Sequence, residues 1–318
     1  MTKRVVYASY GSNLYTDRFM AYVQGGSIGN ASKVYEGCRD KTPPTSKLIL
    51  GVEGYEMYFS RNSSVWGEAP YNDPGSEIFG GLALLSPSKG KAKQAIRSID
   101  ASKTLLESII KDDVCLLAGY AITAEQFSDI VKQENKFDPG APPIPDVLFN
   151  ELSSDNPSIS LSGRTGENAI RLSNGDVLEI DVRGAYSTLL YLGDVTVDGE
   201  IAPVITFSSP ISYEASAAQA YVNTAIVNVP FAVQERAKEL LIERVAEIIG
   251  PQESDSLSRL NPASADYVEM ITNGIVEIGG GQGDWTKDNA LSYVLSKPPF
   301  AQGQMPELGS QVGDYLQR

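Results

Sequence analysis

The chain of 318 residues contains no histidine. That excludes Ser-His-Asp and Cys-His catalysis, histidine-ligated zinc and histidine general bases. Chemistry here has to run on carboxylates, hydroxyls, lysines, tyrosines, thiols or backbone amides. Cysteine is almost as scarce: the two, Cys38 and Cys115, are far apart and match no metal or redox spacing. One disulfide could join them, but they make no disulfide framework. Apolar runs are short, none approaching the ~20 residues that span a bilayer. The basic-then-apolar start, Met1 to Ala8, is too short for the apolar region of a signal peptide, so a soluble cytoplasmic protein is expected. Positive charge is also in deficit. The 26 basic residues against 40 acidic ones give −14, which repels polyanions. Nucleic acid and anionic membranes are therefore not expected partners. Walker A, G-x-S-x-G and G-x-G-x-x-G patterns are all missing.

What is present is a globular composition, 42% hydrophobic and 21% charged, enough for a sizeable core. The length suits two domains or one domain with insertions. Val5 to Tyr10 reads as a strand, Gly11-Ser12-Asn13 as a tight turn, and Thr16 to Gln24 as a helix closed by Gly25-Gly26. Strands are predicted at Lys47 to Val52, Tyr55 to Ser60 and Ile78 to Leu85. A helix is predicted over Lys91 to Lys111, a strand over Val114 to Ile122, and a second helix over Thr123 to Asn135. Residues 137–168, rich in proline, serine and glycine, read as a long loop or insertion. Strands follow at Asp176 to Val182, Ser187 to Leu192 and Ala202 to Phe207. A helix is predicted at Phe231 to Ile249, stopped by Gly250-Pro251. The tail beyond Lys297 reads as extended.

Two local patterns carry chemistry. A Gly-Ser-Asn turn between strand and helix can aim successive backbone N–H groups of Gly11, Ser12 and Asn13 into one concavity that suits a carboxylate or developing oxyanion. The same residues also fit an ordinary turn with Asn13 as helix N-cap. In the helix opened by the Thr123-Ala124-Glu125-Gln126 capping box, Phe127, Ile130, Val131 and Glu134 share one face. Glu134 thus reads either as a solvated residue of a fraying last turn or as a partly desolvated carboxylate with a raised pKa, suited to take a proton. The basic cluster Lys89, Lys91, Lys93 and Arg97 reads as a solvated face, and Gly279-Gly280-Gly281 as a flexible turn.

Val6-Tyr7-Ala8-Ser9-Tyr10-Gly11-Ser12-Asn13-Leu14, with Asp17-Arg18 after it, resembles the opening of the gamma-glutamylcyclotransferase-like family. Gly80-Gly81-Leu82-Ala83-Leu84 is similar to the Gly-Gly-x-Ala strand of that family. Gly119 to Thr123, followed by Phe127, Ile130, Gln133 and Glu134, is similar to the stretch that leads to its catalytic Glu. Tyr186 fits the aromatic after that Glu, and Leu260 to Tyr267 resembles its Pro-Ser-x-x-Tyr segment. The resemblance touches positions from about 5 to 295. The chain departs from it in length, in Asn135 where a Gly is usual, and in the fifty-odd residues between Glu134 and Tyr186.

The resemblance implies an α+β fold, a small mixed β-barrel or sheet flanked by helices, in one domain over 1–297. Insertions would fall at about 137–168 and 228–258, with 298–318 as a tail. It implies a cyclotransferase that cleaves a γ-glutamyl amide by intramolecular amine attack, releasing 5-oxoproline and the free amine. Glu134 would be the catalytic base and acid. Tyr10, Gly11, Ser12, Asn13 and Leu14 would hold the substrate through backbone amides, and Tyr186 and Tyr267 would line the pocket, with Tyr221 as an alternative. Glu125 and Glu151 are the fallback carboxylates. The partner would be a small-molecule γ-glutamyl or related amide substrate, with no metal and no cofactor. Two other readings stay open: a non-catalytic small-molecule-binding or regulatory protein on the same scaffold, and an amide-acting enzyme with a different substrate.

Overall fold

The computed structural model describes residues 4–28, 34–61, 63, 69–72, 74–75, 80–87, 95–135, 144–182, 184–209 and 260–300. The chain divides into two compact units. The first is formed by Met1–Tyr55, Pro87–Pro210 and Tyr267–Val294, the second by Glu56–Ser86, Ile211–Asp266 and Leu295–Arg318. The helix expected at 231–249, the expected insertion at 228–258 and Tyr221 lie outside the described residues, as does the tail beyond residue 300.

The architecture is mixed α+β. The first unit is built on a seven-stranded sheet. Its strands are β1 (Arg4–Ser9), β2 (Lys47–Glu53), β5 (Ala95–Ser98), β6 (Cys115–Thr123), β7 (Ser158–Ser160), β10 (Thr188–Val197) and β11 (Glu200–Ser208), in the order β5-β2-β6-β1-β11-β10-β7. β1 lies at the centre, antiparallel to β6 and parallel to β11. Its run Val5-Val6-Tyr7-Ala8 is unbroken by polar residues because both faces are covered. One face carries Tyr7 and Ser9 and is packed by helices. Tyr7 stacks on Phe19 of α1 (Thr16–Gln24) at 5.6 Å, and its ring lies 5.8 Å from Phe127 of α3 (Ala124–Glu134). The other face is closed by the sheet's own curl. Opposite a register shift in β10, Gly193 has φ +127, and a Cβ there would sit 2.7 Å from Ile96 of β5. The missing side chain lets the two ends of the sheet approach.

The expected helix over Lys91 to Lys111 is corrected. Its described part is strand β5, a turn, and helix α2 (Leu106–Lys111). Asp100 accepts from the backbone N–H and hydroxyl of Ser102, and its carbonyl accepts from Lys103 and Thr104. That local turn competes with helix propagation. Helix α2 has no cap of its own, and Asp284 supplies it, accepting from Leu106 N at 2.8 Å and Glu107 N at 2.9 Å. The expected loop over 137–168 contains α4 (Leu148–Glu151) as well as β7. The expected strand at Asp176 to Val182 shrinks to β9 (Val177–Leu178), paired with β8 (Ile170–Arg171).

Helices α5 (Ala265–Ile278) and α6 (Lys287–Leu295) complete the described helices. In α5, Gly274 backs the turn after β1: a Cβ there would meet Tyr15 N at 2.6 Å and the Leu14 carbonyl carbon at 2.7 Å. Glu277, one turn on, accepts from Thr16 N at 3.1 Å and from Lys47 Nζ at 2.8 Å, and contacts the Thr16 hydroxyl. It caps α1 from another helix, where α1 itself offers no side-chain cap.

In the second unit, β3 (Tyr55–Ser60) pairs with β4 (Leu82–Pro87). Gly80 and Gly81 lie against the backbone of Asn261 to Ser264. A Cβ on Gly81 would fall 2.0 Å from Asn261 O, and Gly81 N donates to Pro262 O at 2.7 Å. Phe300 is flanked by Phe59 and Tyr71.

Among the described residues no helix is long and apolar enough to cross a membrane. Cys38 and Cys115 are buried free thiols, so no disulfide joins them. Cys38 contacts the carbonyls of Tyr22 and Gln126, and burial pushes its thiol up to about 12, far from a reactive thiolate.

Candidate active site

The carboxyl end of β1 runs into a short 3-10 turn, Ser12–Leu14, before α1 begins. Two of its carbonyls are used within the turn. Leu14 N donates to Gly11 O at 3.0 Å and Tyr15 N to Ser12 O at 3.1 Å. The amides of Gly11, Ser12 and Asn13 have no backbone acceptor among the described residues, and all three residues line one small pocket. Leu14 is fully buried, its N–H is taken, and it does not line that pocket. The turn is held from below, because Tyr120 Oη donates to Asn13 O at 2.9 Å.

The last residue of α3, Glu134, lines the same pocket. Asn13 Nδ2 donates to Glu134 Oε1 at 3.2 Å and to Tyr7 Oη at 3.2 Å. A carboxylate only accepts, so the NH2 end of Asn13 must face Glu134. The other end, Oδ1, is then buried without a partner among the described residues. It is a hydrogen-bond acceptor that no described group uses.

Helix α3 is fixed at both ends. Thr123 and Gln126 form the capping box, Gln126 N to Thr123 Oγ1 at 3.1 Å and Thr123 N to Gln126 Oε1 at 3.0 Å. In the last turn Gln133 donates to Tyr22 O of α1 and accepts from Gly37 N. Asn135 follows, buried, with Nδ2 donating to Val131 O and to Tyr186 O, both at 3.0 Å. Its Oδ1 accepts from Tyr186 N at 3.1 Å. Thus Glu134 does not belong to a fraying turn; the helix end is fastened to three other segments, at Tyr22, Gly37 and Tyr186. A Cβ on Gly184 would lie 2.0 Å from Asn135 Oδ1, so this clamp needs that glycine.

Aromatic residues form the rest of the wall. Tyr186 meets Phe207 edge-on at 5.4 Å, Tyr10 donates to Phe207 O at 2.8 Å, and Tyr267 of α5 is buried beside them. The phenols of Tyr7, Tyr22 and Tyr186 are all pushed up by burial first; the nearby Glu134 charge comes next for Tyr7 and Tyr22, and for Tyr186 it follows Tyr267 and Tyr10. They hold their protons at any physiological pH and remain hydrogen-bond donors. Arg18 of α1 is buried near this cage, its guanidinium 5.2 Å from the Tyr22 ring centre and 4.8 Å from that of Tyr35. Burial alone would lower its pKa, but Tyr22, Tyr35 and Glu134 outweigh it and the net shift is upward.

The structure therefore gathers Tyr10, Gly11, Ser12, Asn13, Glu134, Tyr186 and Tyr267 around one pocket, with Leu14 behind it. The fallback carboxylates are engaged elsewhere. Glu125 pairs with Arg39 at 3.3 Å, and Glu151 accepts from the Ser173 backbone and hydroxyl, which hold its pKa down. Sequence reasoning missed Tyr7, Ser9 and Phe207. The period-two alternation of β1, which puts Tyr7 and Ser9 on one face ahead of the turn, was the available signal for the first two. Among the described residues no group of three or more His, Cys, Asp or Glu side chains is placed to hold a metal.

No family model matches the chain, and no solved structure matches it. The chain is similar to Histone deacetylase 5 of Arabidopsis thaliana, 29% identical over 231 residues, which covers 70% of this chain and 27% of the relative. It thus spans about a quarter of the length of that protein. This finding corrects the expected membership of the gamma-glutamylcyclotransferase-like family, and with it the expected transferase or lyase activity that releases 5-oxoproline. The relative bears the name of a deacetylase, and removing an acetyl group involves no ring closure. The physical reason for the mismatch is that Tyr-Gly-Ser-Asn-Leu encodes a strand, turn and helix start, a geometry that does not by itself choose a reaction.

Proposed function

We propose that the chain is an enzyme acting on the amide bond of a small molecule, with Glu134 as general base and then general acid. The observation that carries this reading is the Asn13–Glu134 contact, which sets a carboxylate beside the Gly11-Ser12-Asn13 amides in one pocket. The similarity to a protein named as a deacetylase, removal of an acetyl group from an amine being amide cleavage, agrees in bond type.

The chemistry needs few groups. Glu134 takes a proton from the incoming nucleophile, water in the simplest case, as the nucleophile's oxygen bonds to the carbonyl carbon. The carbonyl π pair moves onto oxygen, where the turn N–H groups receive the developing charge. The C=O bond then re-forms, the C–N bond breaks, and Glu134 returns the proton to the departing nitrogen. A carboxylic acid and an amine leave. Asn13 Oδ1 accepts from the substrate's N–H and orients the bond. The Tyr10, Tyr186, Phe207 and Tyr267 wall takes the apolar part of the substrate. With a chain charge of −14, an anionic substrate would be held by these local dipoles against the overall field. The place of action is the cytoplasm, and no nucleic acid or membrane takes part; imaging of a tagged full chain tests the location.

The test is incubation with a panel of N-acetyl amines, dipeptides and side-chain amides, detecting the released amine. Turnover that is lost in Glu134→Gln, with thermal unfolding unchanged, supports the assignment. Undiminished turnover in that variant sinks it.

A further inference from the structure

Beyond Glu134, one other pocket side chain has the placement of a reacting group. Tyr7 sits at the carboxyl end of the central strand, one alternation before the turn, and lines the pocket. Its ring is locked by stacking on Phe19, Tyr120 and Phe207, at 5.6, 6.5 and 5.3 Å. Its oxygen accepts one hydrogen of the Asn13 amide, whose second hydrogen goes to Glu134. Having accepted there, Tyr7 keeps its own hydroxyl hydrogen, and its described neighbour on the pocket wall is the Ser9 hydroxyl, a partner that a substrate carbonyl can replace. One planar amide therefore sets two groups of opposite kind side by side, a carboxylate that can only accept and a hydroxyl with a hydrogen to give.

We propose that Tyr7 is a second catalytic residue of this pocket, its hydroxyl donating to the carbonyl oxygen of the amide that Glu134 works on. The hydroxyl strengthens its hydrogen bond as that oxygen gains charge and relaxes when the C=O bond re-forms. No proton is transferred to it or from it in the cycle. Burial keeps the phenol protonated, so the donor is present at every pH where the protein is folded. The preorganised ring stack means that little reorganisation is needed as the charge develops.

The inference rests on the amide-bond reading, and its test separates the two. Tyr7→Phe keeps the stacking ring and removes only the hydroxyl. With amides from the panel that the full-length protein turns over, Tyr7→Phe should lower kcat by about 100-fold with KM within a few-fold, the scale for losing one oxyanion donor. Each amide is then paired with its thioamide, whose sulfur is a poor hydrogen-bond acceptor. The wild-type protein should prefer the amide strongly, and Tyr7→Phe should shrink that preference by about 10-fold or more. A role confined to holding Asn13 would leave the amide-to-thioamide ratio where it was. An unchanged ratio or an undiminished kcat in Tyr7→Phe, with Glu134→Gln inactive, overturns the role of Tyr7 alone. Full activity in Glu134→Gln, or no turnover of any amide by the wild-type protein, overturns the amide-bond reading and this inference with it.

Discussion

Asn13 and Glu134, 121 residues apart in the chain, meet at 3.2 Å through the side-chain amide of one and the carboxylate of the other. Asn13 is almost fully buried, and the same nitrogen also serves Tyr7, so one short side chain fixes two functional groups at once. Asn13→Ala leaves a carboxylate and a phenol short of a buried donor. The expected loss is about 1–3 kcal/mol of stability, read by urea unfolding, together with a fall in amide turnover.

Asn135 follows the last residue of α3, and the structure gives it a role. Three hydrogen bonds tie the end of α3 to Val131 and to Tyr186. In Asn135→Ala the Tyr186 amide should lose its hydrogen-exchange protection, and stability should fall by about 2–3 kcal/mol. An unaltered exchange rate at Tyr186 would show that the clamp does not hold in solution.

Gly274→Ala tests the support behind the turn. Its new Cβ would press on backbone atoms of Leu14 and Tyr15, which cannot rotate away as a side-chain tip would. Destabilisation of about 1–3 kcal/mol is expected, although alanine is otherwise the better helix former. Thermal unfolding measures it.

Glu277 couples acid stability to the start of α1. Burial alone would raise its pKa, but hydrogen bonds from Lys47 and Thr16 hold it below the usual value. A carboxyl lowered in the folded state adds stability above its unfolded pKa and loses it as pH falls through the folded value. Glu277→Ala should therefore cost about 1 kcal/mol near pH 7, the worth of a helix cap, and progressively less below about pH 4. Urea unfolding across that range reads the convergence.

At the alkaline end the tyrosines dominate. Tyr7, Tyr22, Tyr35, Tyr120 and Tyr186 are raised by burial, and Tyr55 is pushed up to about 12 by the same cause. Their contribution is complete below about pH 10, the unfolded value, and is lost as pH rises toward the folded values. Tyrosinate absorbance should appear steeply and together with loss of near-ultraviolet circular dichroism. A gradual titration with the fold intact would contradict the buried cage.

Much of the site was legible locally. Strand β1, the turn at Gly11 to Asn13, helix α1 and the capping box of α3 all rest on contacts within a few residues, which composition and spacing encode. Glu134 on the apolar face of its helix was likewise readable from i, i+3, i+4 periodicity. Residues 91–111 were misread because the turn at Asp100 breaks a pattern that otherwise satisfies helical spacing. The reaction was overread, since a short motif specifies backbone shape and not the bond that is cut.

The sequence by itself determined which groups are on hand for chemistry: with no histidine, these are carboxylates, hydroxyls, lysines, thiols and backbone amides. It also determined the local elements that carry them, because helix and turn formation depend on near neighbours. Only the tertiary structure decided that the end of β1 meets the end of α3, that Phe207 and Tyr186 close the wall, and that Tyr7 shares its donor with Glu134. Those contacts depend on strand order, with β11 laid parallel beside β1, and on packing between segments more than a hundred residues apart. Such pairings are chosen by the burial they achieve together, which no single stretch of sequence encodes.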